Sequence, residues 1–189
     1  MNPIRPIAAA HAANSARRQR GLSMIELLCG VSITATALGT AVPGLQDLKQ
    51  RQALEATAAQ LETDLHFARS EAIAHNRGVR LSVQALGAGS CYVIHTGAAH
   101  ECRCSGDGQT QCEGSAEALR LVEQISSDRA RLASVGSSLL FDGSRGTVTP
   151  TATLKVVDSQ GRAIHQVVNI MGRVRSCSPL AQVAGYKAC

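Results

Sequence analysis

Apolar and polar positions follow three successive patterns along the chain. From Leu22 to Val42 there are 21 residues in which Glu26 is the only charged side chain, about 31 Å as a helix and enough to cross a bilayer. Beyond Pro43, Leu54, Ala58, Leu61, Leu65, Ala68 and Ala72 recur at steps of four and three, with Lys49, Arg51, Glu55, Glu62, Asp64, Arg69 and Glu71 largely elsewhere. That period predicts an amphipathic helix, stopped at about Asn76 by Asn76-Arg77-Gly78. After Gly78 the period falls to two: Val79, Leu81 and Val83 alternate with Arg80, Ser82 and Gln84. Further β-rich runs follow at 91–95, 138–141, 151–157 and 164–174. Turn signals separate them, notably Asp142-Gly143-Ser144-Arg145-Gly146 and Asp158-Ser159-Gln160-Gly161, the second a hairpin turn. The stretch 118–133 fits either a strand or a short helix.

Glu26 is the unexpected residue. A charge within a spanning helix costs roughly 2.5 to 3.5 kcal/mol on insertion scales, which makes it a functional candidate. Arg5, Arg17, Arg18 and Arg20 precede the segment with no acid among residues 1–21, so the positive-inside bias predicts a cytoplasmic N-terminus and an exported C-terminal part. A secretory signal peptide, with Ala35-Thr36-Ala37 for cleavage, or a plain uncleaved anchor would be the simpler alternatives. Neither accounts for Glu26.

Gly21 followed by Leu22-Ser23-Met24-Ile25-Glu26-Leu27 resembles the type IV prepilin signature, with Leu22 where Phe is usual and Ser23-Met24 for the common Thr-Leu. The resemblance implies cleavage between Gly21 and Leu22 by prepilin peptidase and methylation of the new amine on Leu22. Pro43 stands where pilins commonly carry a helix-kinking proline. The spacing has a physical reason of its own: the amine on Leu22 has no partner within its helix at that depth, and Glu26 of a neighbouring subunit is its natural counter-ion. Such a pair would fix the stagger between subunits. The expected organisation is a leader at 1–21, a transmembrane assembly helix at 22–45, an amphipathic half at 46–77 and a periplasmic β-rich domain at 78–189.

Charge changes once the leader is set aside. The chain is formally +5, but four arginines lie in residues 1–20, leaving 15 basic and 14 acidic side chains. Residues 46–141 hold 9 basic and 11 acidic groups, whereas residues 142–189 hold 6 basic groups against Asp142 and Asp158 alone. The exported part is long enough for one modest core. With Phe67, Phe141, Tyr92 and Tyr186 as its aromatics, that core must be aliphatic. Cys29 falls in the apolar segment; Cys91, Cys102, Cys104, Cys112, Cys177 and Cys189 fall on the exported side, where an even count suits disulfides. Cys177 and Cys189 stand apart and would close the tail, worth up to about 3 kcal/mol in the chain-entropy view, leaving the other four to pair among themselves. A zinc site built from His95, His100, Cys102, Cys104 and Cys112 lacks the usual paired spacing. The Gly- and Ser-rich stretch 97–114 fits a disulfide-stapled loop better.

Ala68-Arg69-Ser70-Glu71-Ala72-Ile73, Phe141 before a glycine turn and Gly172-Arg173-Val174-Arg175 before a cysteine are similar to the GspH/FimT group of minor pilins and pseudopilins. The resemblance implies a type IV pilin-like α+β fold, a long N-terminal helix packed on an antiparallel sheet with a disulfide-stapled tail. It also implies partners among other pilins or pseudopilins, and an inner-membrane subunit with a periplasmic domain that joins a filament. GspH belongs to the type II secretion filament; FimT is a minor pilin implicated in DNA uptake, with a Gly-Arg-x-Arg motif taking part in DNA binding. If 168–175 is one extended strand, Arg173 and Arg175 share a face. With Lys187 they could hold successive phosphates of extracellular DNA. A solvated strand face, or ion pairs with Glu62 or Glu71, would account for the same arginines.

Catalysis finds no support: HExxH, GxSxG and Walker-type sequences are absent, the histidines are scattered, and no cofactor or metal is implied. The function classes that remain are a structural subunit at or near a filament tip, a DNA-binding module displayed by such a filament, and a bitopic periplasmic domain that never polymerises. The alternative to DNA uptake is a type II secretion protein H-like pseudopilin acting in protein export without DNA binding.

Overall fold

The computed structural model describes residues 23–87, 89–124 and 130–189. The leader at 1–21, including Gly21, lies outside the described residues, as do Leu22 and the side chain of Pro43. Helix α1 (Met24–Ala74) is followed by β1 (Val79–Leu86), β2 (Gly89–Thr96), β3 (Cys102–Cys104), β4 (Thr110–Cys112), β5 (Ala118–Gln124) and β6 (Ala130–Leu132). Then come β7 (Ser138–Asp142), β8 (Thr147–Thr149), β9 (Ala152–Asp158), β10 (Ala163–Val168), β11 (Val174–Cys177) and a 3-10 turn at Pro179–Ala181. The strands form an antiparallel sheet in the order β5-β2-β1-β7-β8, a second in the order β11-β10-β9-β6 and a ribbon of β3 and β4. This is the expected α+β architecture.

The chain divides into two units, one ending at Val42 and one running from Pro43 to Cys189. In the first, Met24, Ile25, Leu27, Leu28, Val31, Ile33 and Leu38 are all more than half exposed. Apolar surface on that scale requires lipid or other helices to cover it. The hydroxyls of Ser32, Thr34 and Thr36 donate to the carbonyls of Leu28, Gly30 and Ser32 on their own helix, so they are satisfied without water. Among the described residues, α1 is the one helix long and apolar enough to span a membrane. Glu26 lies in its first turn and is exposed.

In the second unit the predicted stripe is the buried one. Leu54, Ala58, Leu61, Leu65, Ala68 and Ala72 are 0 to 1% exposed. They join one cluster with Leu81, Ile94, Leu139 and Phe141 of the first sheet and Leu132, Leu154, Val156 and Ile164 of the second. Each buried leucine contributes about 1.5 to 3 kcal/mol relative to an exposed one. The helix stops through Asn76, whose φ of 46° sends the Arg77 N–H back to the Ala72 carbonyl at 3.1 Å. This is the C-terminal motif in which a left-handed residue satisfies otherwise unpaired helix carbonyls.

Asp64, which the sequence pattern groups with the polar positions, is completely buried. Its carboxylate accepts from the Tyr92 hydroxyl at 2.6 Å, from Gln60 Nε2 at 3.1 Å and from the guanidinium of Arg120. Arg120 also stacks over Phe67 at 4.5 Å. The acid is tolerated because it is paired and hydrogen-bonded, and it links α1 to β2 and β5. Burial and Asp64 together push the Tyr92 hydroxyl far above its ordinary value.

The structure departs from the sequence expectations, or goes beyond them, at four places. The stretch 97–114 is more than a loop, since β3 and β4 pair within it. The strand β8 carries no periodic signal because it is three residues long. The ambiguous stretch 118–133 supplies strands β5 and β6, its residues 125–129 lying outside the described ones. Finally, the run 164–174 is broken after Val168 by a turn.

Cys91 is bonded to Cys104 and Cys102 to Cys112, tying the ribbon to β2. The flap covers the outer side of β1: Gln84 Nε2 donates to the Cys102 carbonyl at 2.7 Å and its Oε1 accepts from the Cys104 N–H at 3.1 Å. Beneath it Ser82 meets His95 Nε2 at 3.0 Å, and burial holds the imidazole below its ordinary pKa. Those contacts account for the burial of Ser82, which lies on the polar side of a two-residue alternation.

Leu65→Ala should lower stability by about 2 to 5 kcal/mol. Tyr92→Phe, which removes a donor from a buried carboxylate, should lower it by about 1 to 3 kcal/mol. Urea denaturation of the detergent-solubilised chain followed by circular dichroism measures both; a Tyr92→Phe midpoint equal to wild type would show that this hydroxyl does not hold Asp64.

Candidate functional site

Arg173, Arg175 and Lys187 line one cleft of about 510 Å³, with Val167, Ser176, Cys177 and Cys189 on its walls. The side chains of all three cations are exposed. Arg175 lies on β11 opposite Val167 of β10, and Arg173 immediately precedes that strand.

They come together by a different route from a single extended strand. Residues 169–172 form the turn of a β10–β11 hairpin, closed by the Gly172 N–H to the Asn169 carbonyl at 2.9 Å. Asn169 Oδ1 also accepts from the Arg173 N–H at 2.9 Å, fixing the backbone as the chain enters β11. Gly172 has φ of +69°, and a Cβ there would lie 2.9 Å from Cδ and Nε of Arg69 on α1. The motif's glycine is therefore required twice, by left-handed backbone and by close approach to the helix. Because the turn realigns the chain, Arg173 and Arg175 stay two residues apart and reach the same cleft.

Lys187 arrives from the tail. The Cys177–Cys189 disulfide closes residues 177–189 into a loop. Inside it, the buried Ser178 ties the loop together. Its N–H donates to the Lys187 carbonyl at 2.9 Å and its hydroxyl donates to the Ala163 carbonyl at 2.9 Å. The same hydroxyl accepts from the Val183 N–H, and the Ser178 carbonyl accepts from the N–H of Ala181 and of Cys189. Val183 is buried in the core beneath the loop. Ser178 and Asn169 are the residues that sequence reasoning missed. An Asn three residues before a Gly was a legible turn signal; nothing marked one serine as the anchor of the tail.

The suggested ion pairs do not form. Glu71 is taken by Arg77 and His75, and Glu62 accepts from the Ser176 hydroxyl at 2.7 Å. Among the described residues, Arg173, Arg175 and Lys187 have no acidic partner. The zinc alternative finds its ligands dispersed. Cys102, Cys104 and Cys112 are in disulfides, His95 bonds Ser82 and Thr96, and His100 is exposed. Among the described residues no group of His, Cys, Asp and Glu is arranged to hold a metal.

The family model for Type II transport protein GspH matches residues 57–172. The chain belongs to the GspH family. Its fold is similar to two crystal forms of the type IV minor pilin FimU of Pseudomonas aeruginosa strain PAO1. One has a TM-score of 0.46 and 22% identity over 70% of this chain and 96% of that one. The other has a TM-score of 0.43 and 22% identity over 66% and 96%. A comparison with curated proteins gives no match. The GspH match begins beyond Gly21, Leu22 and Glu26 and ends at Gly172, so Arg173 and Arg175 lie just past it and Lys187 further on.

Gly172→Ala should cost more than about 1 kcal/mol, because it combines strained backbone with displacement of Arg69. Arg173→Gln, at an exposed and unpaired position, should stay within about 0.5 kcal/mol of wild type. Thermal denaturation of the two variants side by side checks both; equal stability would remove the close packing of Gly172 on Arg69 as the reason for the glycine.

Proposed function

We propose that this GspH-family chain is a minor pilin or pseudopilin, a structural subunit at or near the tip of a type IV pilus or type II secretion filament. In this reading prepilin peptidase cuts between Gly21 and Leu22, the Leu22 amine is methylated, and Glu26 meets that amine on a neighbouring subunit. The anchor helix then sits in the inner membrane with the N-terminus cytoplasmic and the folded unit in the periplasm. The exposed apolar surface of the first unit supports it, because such a surface is suited to lipid before assembly and to other pilin helices after it. Structural assembly, not catalysis, is the activity.

The cleft cations bind DNA in this reading, for uptake in natural transformation. The observation that carries it is the convergence of Arg173, Arg175 and Lys187 on one cleft without acidic partners among the described residues. Exposed guanidinium groups suit phosphate oxygens, and their contacts read backbone charge rather than sequence. A second reading is favoured by the description of the family model, Type II transport protein. There the chain serves protein export and the cations remain solvated.

DNA retention separates these readings, and filament assembly and the N-terminus test what they share. The wild-type chain should retard DNA in a gel at low salt and Arg173→Gln/Arg175→Gln should lose most of that retention; equal retention would dismiss the cleft as the DNA site. Glu26→Ala should enter the membrane yet be missing from sheared filaments, and an intact Met1 terminus on native material would sink the processing step.

A further inference from the structure

The cleft is one end of a larger cationic surface. In the sheet β11-β10-β9-β6, Leu154, Val156, Ile164, Gln166 and Val168 face the core and are buried. The opposite face follows from the register. Arg175 pairs with Val167 and Val167 with Thr153; Cys177 pairs with His165 and His165 with Lys155; Ala163 pairs with Val157 and Val157 with Arg131. Directly paired residues share a face, and residues two apart on a strand share it too. Arg175, Lys155 and Arg131 therefore stand on the same outer side, and all three are exposed.

Among the described residues of these four strands, none that is acidic lies on this face. Asp158, their one acid, belongs to the opposite set. It is 7% exposed and is bonded to Arg162 Nε at 2.6 Å. Neither Lys155 nor Arg131 has an ion-pair partner among the described residues. His165, between Lys155 and Cys177, is held below its ordinary pKa by burial and by Lys155, so it is an uncharged spacer at neutral pH.

The three cations lie on a diagonal. With strands about 4.8 Å apart and about 3.3 Å per residue, Arg175 to Lys155 is about 12 Å and Lys155 to Arg131 about 8 Å between backbones. The whole line runs about 20 Å, comparable with six base-pair steps of a duplex at about 3.4 Å each. A second depression flanks the start of this line at the hairpin end of the sheet, away from Lys155. It is lined by Thr151, Thr153 and Asn169 and shares Val167 with the cleft. Its hydroxyls and amide are groups that hydrogen-bond phosphate and sugar oxygens.

We propose that the DNA-binding surface extends from the cleft across the outer face of this sheet, with Lys155 and Arg131 contacting the phosphate backbone of the same duplex. The inference rests on the DNA reading of the cleft and adds two residues and a direction to it. The contacts are to backbone charge, so the surface binds duplex DNA without sequence preference.

The test is the salt dependence of binding by the full chain in non-ionic detergent, measured by fluorescence anisotropy with a mixed-sequence DNA duplex. Neutralising five phosphates gives a slope of log K on log salt of about −4.5, against about −2.7 for three. Lys155→Gln should make the slope shallower by about 0.9, and Lys155→Gln/Arg131→Gln by about 1.8. Both substitutions are at exposed positions, and an unchanged melting temperature verifies that the fold is kept. A wild-type slope near −2.7 that neither variant moves would overturn the extension while leaving the cleft as a DNA site. Failure of the wild type to bind would overturn both.

Discussion

The aliphatic stripe from Leu54 to Ala72 has to be covered on a chain with few aromatic side chains to do it, and both sheets turn their inner faces to it. The stripe combines three leucines with three alanines, all of them buried. Gln166 then donates to the Ala58 carbonyl at 3.0 Å, a contact that a bulkier residue at position 58 would obstruct. Close packing of this kind leaves little room for an unpaired polar group, and Asp64 is retained because Tyr92, Gln60 and Arg120 together satisfy its carboxylate.

With both inner faces committed to the helix, the two outer faces diverge. That of the first sheet is closed by the disulfide flap, which buries Ser82, His95 and Cys102. The flap and its flanks hold Glu101, Asp107, Glu113, Glu117 and Glu123. On the second sheet the tail meets the outer face at Cys177 and His165, and that face exposes Arg175, Lys155 and Arg131. The imbalance between the acidic body and the basic C-terminal quarter is thus a spatial separation. Two covalent devices maintain it: the flap bridges hold acids on one side, and the Cys177–Cys189 bridge with Ser178 holds Lys187 on the other.

Much of this was legible in residue order. The helix stripe emerged residue for residue, because a period of 3.6 sustained over several turns is the mark of one buried helix face. The turns at Asp142 and Asp158 were legible because their side chains bond their own following backbone, Asp142 Oδ1 to the Ser144 N–H and Asp158 Oδ1 to that of Gln160. What failed were features set by distant contacts. Asp64 looks like any polar helix residue until Arg120, 56 positions later, is brought beside it. The break at 169–172 was hidden by Ile170 and Met171, apolar residues that continue the alternation on paper but sit exposed at a hairpin tip. The arginine pair was legible as a pair, whereas its unpartnered state depended on where Glu62 and Glu71 find their own partners.

Edge protection could also produce a basic sheet face. Strands at the edge of a sheet commonly carry Lys or Arg to discourage pairing with other chains. Arg175 on β11 and Arg131 on β6 stand at the two edges of this sheet, and that role would account for both. Lys155 is different. It lies on β9, hydrogen-bonded on both sides by β10 and β6, where there is no edge to guard. A lysine on an interior strand, exposed and without an acid opposite it, gains nothing from cross-strand pairing, since its neighbours His165 and Arg131 are neutral or of like charge. Its exposed ammonium is solvated, and nothing within the domain requires a cation there. Edge protection therefore accounts for Arg175 and Arg131 but not for Lys155.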